Sequence, residues 1–314
     1  MQRTVELPEA ARLKLVSEAA TPQSGAPFPD VALPYLLIAP QLLITFVFFL
    51  WPAAQAVYQS VLREDPFGLR REFIGLANFS RVLSQPGYLD AVGITVVFSI
   101  ATVAIAMVIG LLLAMAADSL LKSARLYETL LLVPYAVAPA VAGAIWFFLM
   151  YPSLGILSGA LQAMGYPWNH QINGTDALLM VIAASAWKQI SYNVLFFLAG
   201  LQAIPKSLIE AAAIDGANAW SRFRYIILPL LSPTTFFLVV VNLNYAIFDT
   251  FAVIHATTSG GPGQSTTTLI YKVYKDGFVG LDLGGSAAQS VILMTVVILL
   301  TVLQFRYIER KVTY

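Results

Sequence analysis

The chain has 314 residues, 58% of them hydrophobic and 11% charged, with a mean hydropathy of +0.75. That is too little polar surface to enclose a soluble core of this length, so lipid is the expected main solvent. A formal net charge of +1 supplies no basic field for nucleic acid, and with no cysteine in the chain disulfides, thiolate metal sites and thiol catalysis are excluded.

Residues 1–33 are polar and carry Pro8, Pro22, Pro27 and Pro29, without the early apolar core of a secretory signal. They read as a polar cytoplasmic tail ahead of a transmembrane region, 34–314. Apolar stretches of about 20 residues or more, enough to cross roughly 30 Å of hydrocarbon, are expected near 35–57, 91–117, 129–151, 177–201, 229–254 and 284–305. The fold class is therefore an all-α integral membrane protein, a six-helix transmembrane bundle. The second stretch is the cleanest, uncharged between Asp90 and Asp118. In the third, Tyr135 stands between Pro134 and Pro139 and marks a broken helix, whose freed backbone groups need a cavity or a neighbour to satisfy them.

Positive residues favour the cytoplasmic side. With both termini inside, that side holds Arg3, Arg12, Lys14, Lys122, Arg125, Lys206, Arg222, Arg224, Arg306, Arg310 and Lys311, against Arg63, Arg70, Arg71, Arg81, Lys272 and Lys275 outside. The loop 152–176 has neither Lys nor Arg. Inside the fourth stretch Lys188 falls near mid-bilayer, where a charge is costly and marks a function or a partner. Two readings stay open for it: contact with a substrate, or pairing with Asp249 or with helix-end carbonyls. Tyr192 and Asn193 follow, and Asn242, Asn244 and Tyr245 occupy the next span; interhelical hydrogen bonds are the commoner reason for such residues.

The loop 202–228 contains a helical hairpin. Ser207 with Glu210 fits a capping box, so a helix is expected from Leu208. Ala211, Ala212 and Ala213 favour helix, and Gly216 suits a left-handed stop. Asn218 can cap the next turn, Trp220, Phe223 and Ile227 form an apolar stripe, and Pro229 suits the first turn of the fifth span. Taken on its own, this is either a surface hairpin holding two spans together or a docking element. His170, beside Trp168, reads as a surface residue and His255 as the end of a span; no His and acid cluster has metal spacing.

Glu210-Ala211-Ala212, then Gly216, then Ile226-x-Leu228-Pro229 resembles the EAA loop of permease subunits in binding-protein-dependent ATP-binding-cassette importers. Phe73-Ile74-Gly75-Leu76-Ala77-Asn78-Phe79 looks like a signature of the sugar-type permeases, and Thr258-Ser259-Gly260-Gly261-Pro262 resembles their last outer loop. The resemblance runs from about Leu33 to Tyr314. It is closer to permeases of sn-glycerol-3-phosphate importers in 132–142, Trp187 to Asn193 and Gln304 to Tyr307.

The resemblance implies the type I importer permease fold, with the hairpin as a cytoplasmic coupling helix. Glu210, Ala211, Ala212, Asp215, Gly216, Ile226, Leu228 and Pro229 would then meet an ATPase. Tyr135, Lys188, Tyr192, Asn193, Asn242, Tyr245 and Asp249 are candidates for the substrate path, and Gly260, Gly261 and Pro262 for docking a binding protein. Implied partners are a second homologous permease, two ATPase subunits carrying ATP and Mg, a periplasmic binding protein and the lipid of a bacterial inner membrane. This chain would bind no cofactor and hold no enzyme activity. It contains no Gly-x-x-x-x-Gly-Lys-Ser/Thr phosphate loop. Glycerophosphodiesters and neutral sugars remain alternative substrates. Among rival classes, a secondary transporter explains the spans but not the hairpin, and an intramembrane enzyme lacks a recognisable nucleophile and base.

Overall fold

The computed structural model describes residues 32–65, 70–120 and 131–308. Most of the expected tail, the start of the third expected span and the last residues of the chain lie outside them. The architecture is all-α, with one small ribbon. Helix α1 (32–60) runs through Ala32–Thr45, a π turn at Phe46–Leu50 and Trp51–Ser60. Its large apolar side chains, among them Leu36, Leu43, Phe48 and Phe49, are exposed, as a helix apolar all round is in lipid.

After α1 come β1 (Leu62–Glu64) and β2 (Arg71–Phe73), antiparallel with Leu62 opposite Phe73, a ribbon that propensity had not suggested. Arg71 pairs with Glu64 across it at 3.0 Å. Helix α2 (Ala77–Ser84) follows, and its buried Asn78 is the tie of this region. The Asn78 amide donates to the Ser60 and Leu62 carbonyls at 2.9 and 2.8 Å, while its oxygen accepts from Arg81. Arg81 continues to Asp282 at 2.8 Å. Partial burial works to raise the Asp282 carboxyl, but the hydrogen bonds from Arg81 and the Gly285 amide, with the charge of Arg81, outweigh it and hold the carboxyl below its ordinary value. This gives the asparagine of the sugar-type signature a physical task. Asn78→Ala leaves two buried carbonyls unpaired, and about 1–3 kcal/mol of stability should be lost. The check is the thermal midpoint of the detergent-solubilised subunit; a midpoint unchanged from wild type refutes the assigned tie.

Helix α3 (Pro86–Leu120) packs along α7 (Gly174–Gln202). Phe98 and Val103 of α3 bury against Val181, Ile182 and Ala184, joined by Ala246, Val253, Ile254 and Tyr271. A second cluster gathers Ala114, Ala117, Phe197, Leu198, Leu201, Ile204, Leu231 and Leu238. Ala114, Ala117, Ala184 and Ala246 let the helices approach among the larger side chains of these seams, because lipid offers no hydrophobic drive and close van der Waals packing holds helices together. At Gly110 a methyl group would lie only 2.6 Å from Cβ of Asn193.

The third expected span is not one rod. Helix α4 (131–136) stops, the chain breaks at Val137 and Ala138, and α5 (Pro139–Leu149) resumes with Pro139 in its first turn. Helix α6 (Ile156–Ala163) lies in the following loop. Beyond α7 come α8 (Lys206–Ile214) and α9 (Ala219–Leu230), then α10 (Ser232–Asp249), α11 (Phe251–Thr257), α12 (269–279) and α13 (Leu283–Ile308). Among the described residues Tyr35–Ser60, Pro86–Asp118 and Leu283–Arg306 are each long and apolar enough to cross a bilayer. Two bent pairs qualify when each is taken whole: α7 with α8, bent by 68°, and α9 with α10, bent by 65°.

The bend at Leu231 corrects the placing of Pro229 in the first turn of a span. Pro229 lies in the last turn of α9, and it is Pro233 that opens α10, where a missing amide hydrogen costs nothing.

Candidate functional site

The hairpin α8–α9 is built from local rules. Gly216 adopts φ +83°, a left-handed conformation that side chains with Cβ resist. The Ala217 amide then reaches the Ala212 carbonyl at 2.9 Å and the Gly216 amide the Ala213 carbonyl at 3.1 Å, closing a Schellman turn. Asn218 caps α9 by accepting from the Ser221 amide at 2.8 Å. The sequence reading missed a further lock: Arg222 donates back to the Ala217 carbonyl at 3.0 Å, bridging the turn. The expected capping box at Ser207 and Glu210 does not form. Helix α8 starts at Lys206 with Pro205 as its cap, at φ −58° and ψ 122°, and no side chain caps it. Proline delivers the chain into the first turn already extended, so the start moves ahead of Ser207.

The Glu210 carboxylate is consequently exposed and without a partner among the described residues. Ala211, Asp215, Gly216 and Pro229 are exposed too, Ala212, Ile226 and Leu228 half-buried. Large apolar side chains share this free surface: Ile214 is 87% exposed, Trp220 69% and Tyr225 76%. Ile209 and Ile227 point the other way, packing on the cluster that holds Leu201, Ile204 and Leu231. One face of the hairpin is thus fastened to the ends of α7 and α10, and the other is unmet.

Within the bundle, Lys188 is buried and donates its Nζ to the Val137 carbonyl, one of the backbone groups freed where α4 and α5 part. Helix-end carbonyl pairing, one of the open readings, is the arrangement present. No ion pair joins Lys188 to Asp249 among the described residues; Asp249 is exposed at the end of the π turn that closes α10. One helical turn apart on α7 stand Lys188, Tyr192 and Phe196. The Tyr192 ring meets Tyr135 at 5.4 Å and Phe196 at 4.7 Å, and Phe196 meets Phe237 of α10 at 5.1 Å. The i, i+4, i+8 spacing carried a signal for this aromatic ladder that the reading of Lys188 and Tyr192 did not extend to Phe196.

Asn193 and Asn242 are 0% and 1% exposed and exchange reciprocal amide hydrogen bonds at 3.1 and 2.8 Å, each also bonded to its own helix. All this capacity is spent joining α7 to α10. Tyr245 is buried with its hydroxyl facing Ser185, but the two do not reach hydrogen-bond geometry.

Residues Thr258 to Thr268 form a tightly bonded turn. Gly260 takes φ +82°, and a Cβ there would lie 2.7 Å from Oγ1 of Thr267 and from the Tyr271 ring. Thr267 and Thr266 donate to the carbonyls of Gly260 and Gly261, each at 3.0 Å, and Thr258 meets Thr266 at 2.7 Å. Beside the turn, His170 proves buried, correcting its surface placing. It packs edge-on to Phe147 at 5.6 Å and Tyr151 at 6.5 Å, so three rings remove one another from solvent. His255 is exposed and stacks on Phe251 at 5.6 Å.

Residues 94–314 match the family described as binding-protein-dependent transport system inner membrane component. Over 287 residues the chain is 60% identical to the sn-glycerol-3-phosphate transport system permease protein UgpA of Rhizobium meliloti (strain 1021), covering 91% of this chain and 98% of that protein. It is 58% identical, over the same shares of each chain, to the protein of that name from Agrobacterium fabrum (strain C58). A crystal structure of a bacterial ABC transporter involved in the import of the acidic polysaccharide alginate superposes with a TM-score of 0.76 at 19% identity, over 88% of this chain and 95% of that one, a likeness of fold.

Proposed function

Because the chain belongs to the family of binding-protein-dependent transport system inner membrane components, we propose that it is the half-pore of an importer for sn-glycerol-3-phosphate or a glycerophosphodiester. It is a permease subunit and not an enzyme. Its partners are a second, homologous permease, two ATPase subunits holding ATP and Mg, and a periplasmic binding protein. Both termini face the cytoplasm of a bacterial cell, as the Lys and Arg distribution favours.

The observation that carries this reading is the hairpin: it is locked at its turn, fastened to two helix ends by Ile209 and Ile227, and free on a face bearing Glu210, Ile214 and Trp220. A coupling element needs that division. It takes force from a partner on one face and hands it to the membrane helices on the other. The substrate follows from the two relatives' names, and a buried cation suits a phosphate ester. Lys188 spends one N–H on Val137 and keeps two more donors. We place it on the path with Tyr135 and Tyr192, while Asn193 and Asn242 hold its walls. Asp249 and Tyr245 stand further along α10.

Reconstitution tests the reading. Vesicles containing this chain, the second permease, the ATPase and the binding protein should take up sn-glycerol-3-phosphate only with ATP and with every component present. Uptake that persists without the ATPase would make the protein a secondary transporter; uptake of a neutral sugar alone would remove the phosphate ester as substrate.

A further inference from the structure

Helix α6 (Ile156–Ala163) is amphipathic the wrong way round for a helix in water. Ile156, Leu157, Ala160, Ala163 and Met164 are exposed and, at about 100° per residue, fall within one arc of roughly 120°. Ile156 is 78% exposed and Met164 75%, and Leu154, just ahead of the helix, 84%. Ser158 and Gln162, one turn apart, fall on the opposite side. Ser158 is buried and donates to the Tyr151 carbonyl at 2.6 Å, and Nε2 of Gln162 donates to the Pro152 carbonyl at 3.0 Å. With Nε1 of Trp168 on the Met150 carbonyl at 2.9 Å, three side chains of this loop serve acceptors at and just past the end of α5. The chain turns so tightly there that a Cβ on Gly155 would lie 2.6 Å from the Tyr151 amide nitrogen. Helix α6 is thus pinned to the end of α5, its polar side chains bonded inward and its apolar ones outward.

We propose that α6 is an interfacial helix whose outward face lies in lipid, at the boundary of acyl chains and headgroups where α5 leaves the hydrocarbon. An amphipathic helix of this kind sits in the plane of the interface with its apolar face about 5–10 Å deep. Through Ser158, Gln162 and Trp168 it then fixes the depth of α5, to which it is pinned. The inference stands apart from the importer reading, since it concerns where the chain meets lipid, whatever crosses it.

The occupant is lipid for two reasons. The first is continuity: Val141, Ile145 and Phe148 make one exposed apolar row on α5, and the same exposure continues along the chain through Leu154 into Ile156 and Leu157. The second is charge. From Pro152 to Thr175 there is no Lys, Arg, Asp or Glu. The acid that follows, Asp176, is buried and accepts from the Tyr166 hydroxyl at 2.7 Å and the Asn169 amide at 2.8 Å. A surface that meets another protein carries a polar, solvent-accessible rim, and this segment turns Ser158 and Gln162 inward instead.

The chain has no cysteine, so Ala160→Cys and Met164→Cys each supply a single thiol for a bimane fluorophore, attached before the full chain is reconstituted with its partner subunits into vesicles. Lipid brominated high on its acyl chains should quench the bimane at least about threefold more strongly than iodide in the buffer, and more strongly than lipid brominated near the chain ends, as an interfacial depth requires. The two positions are read separately, and either carries the test if the other variant fails to insert. Iodide quenching equal to or above that of the bromolipid puts the face in water and overturns the proposal. Stronger quenching from the chain ends makes α6 part of a span, which overturns it too. If neither quencher reaches the label, a protein covers the face and lipid is the wrong occupant. Transport has no part in the readout, so a failure of the importer reading leaves this test intact.

Discussion

Glu210→Lys should abolish ATP-driven uptake while the subunit folds and inserts as before. The Glu210 carboxylate is exposed and unpartnered among the described residues, and helix α8 starts at Lys206 under the Pro205 cap without using it. Had the capping box formed, the exchange would have disturbed folding and coupling together. Among the described residues the charge has no intramolecular duty, and under the proposed function its partner would be a basic residue of the ATPase. Removing one member of a close interfacial charge pair costs about 2–5 kcal/mol, and like charges across an interface add several more. At about 1.4 kcal/mol per tenfold, association should weaken by more than roughly thirtyfold. Co-purification with the ATPase, alongside uptake in vesicles, measures this. An intact complex that still couples would show that the free face of the hairpin is not the docking surface.

Lys188→Met is expected to lower uptake of sn-glycerol-3-phosphate about tenfold or more. Methionine keeps much of the length and volume of the side chain, so the packing between the broken helix and α7 survives while the cation and its donors are lost. Hydrogen bonds to charged groups contribute about 1.5–3 kcal/mol each, and a phosphate passing Lys188 would lose at least one. The bond to the Val137 carbonyl disappears as well, which the thermal midpoint reports separately. Transport with unchanged rate and half-saturation, whatever the midpoint does, takes Lys188 off the path and leaves it a brace for the break between α4 and α5.

What was legible in the residues follows the range of the forces involved. Gly216 and Asn218 announced the turn and the cap because both act within a few positions, through a left-handed backbone and an oxygen that reaches the Ser221 amide. Ser207 misled for a local reason also, since Pro205 competes for the same helix start and sets it earlier. Tyr135 between two prolines foretold the break, but not that Lys188, 51 residues beyond Val137, would supply a donor to the Val137 carbonyl. Asn193 and Asn242 were suspect as polar residues in hydrocarbon; their pairing across 49 residues needed the crossing of α7 and α10. His170 was misplaced because burial by Phe147 and Tyr151 belongs to the tertiary fold, and a polar loop offers no periodicity from which to read it.

The hairpin's two attachments have a mechanical meaning. Its turn is braced by the Schellman bonds and by Arg222, so it moves as one stiff piece whose joints are the bends on either side, around residues 203–205 and at Leu231. Past those joints the Asn193–Asn242 pair forbids α7 and α10 to slip along each other without breaking two buried amide bonds. Under the proposed coupling, a push on the hairpin would therefore reach both helices together and arrive at the level of Lys188 and the broken helix as a crank delivers motion, in one phase.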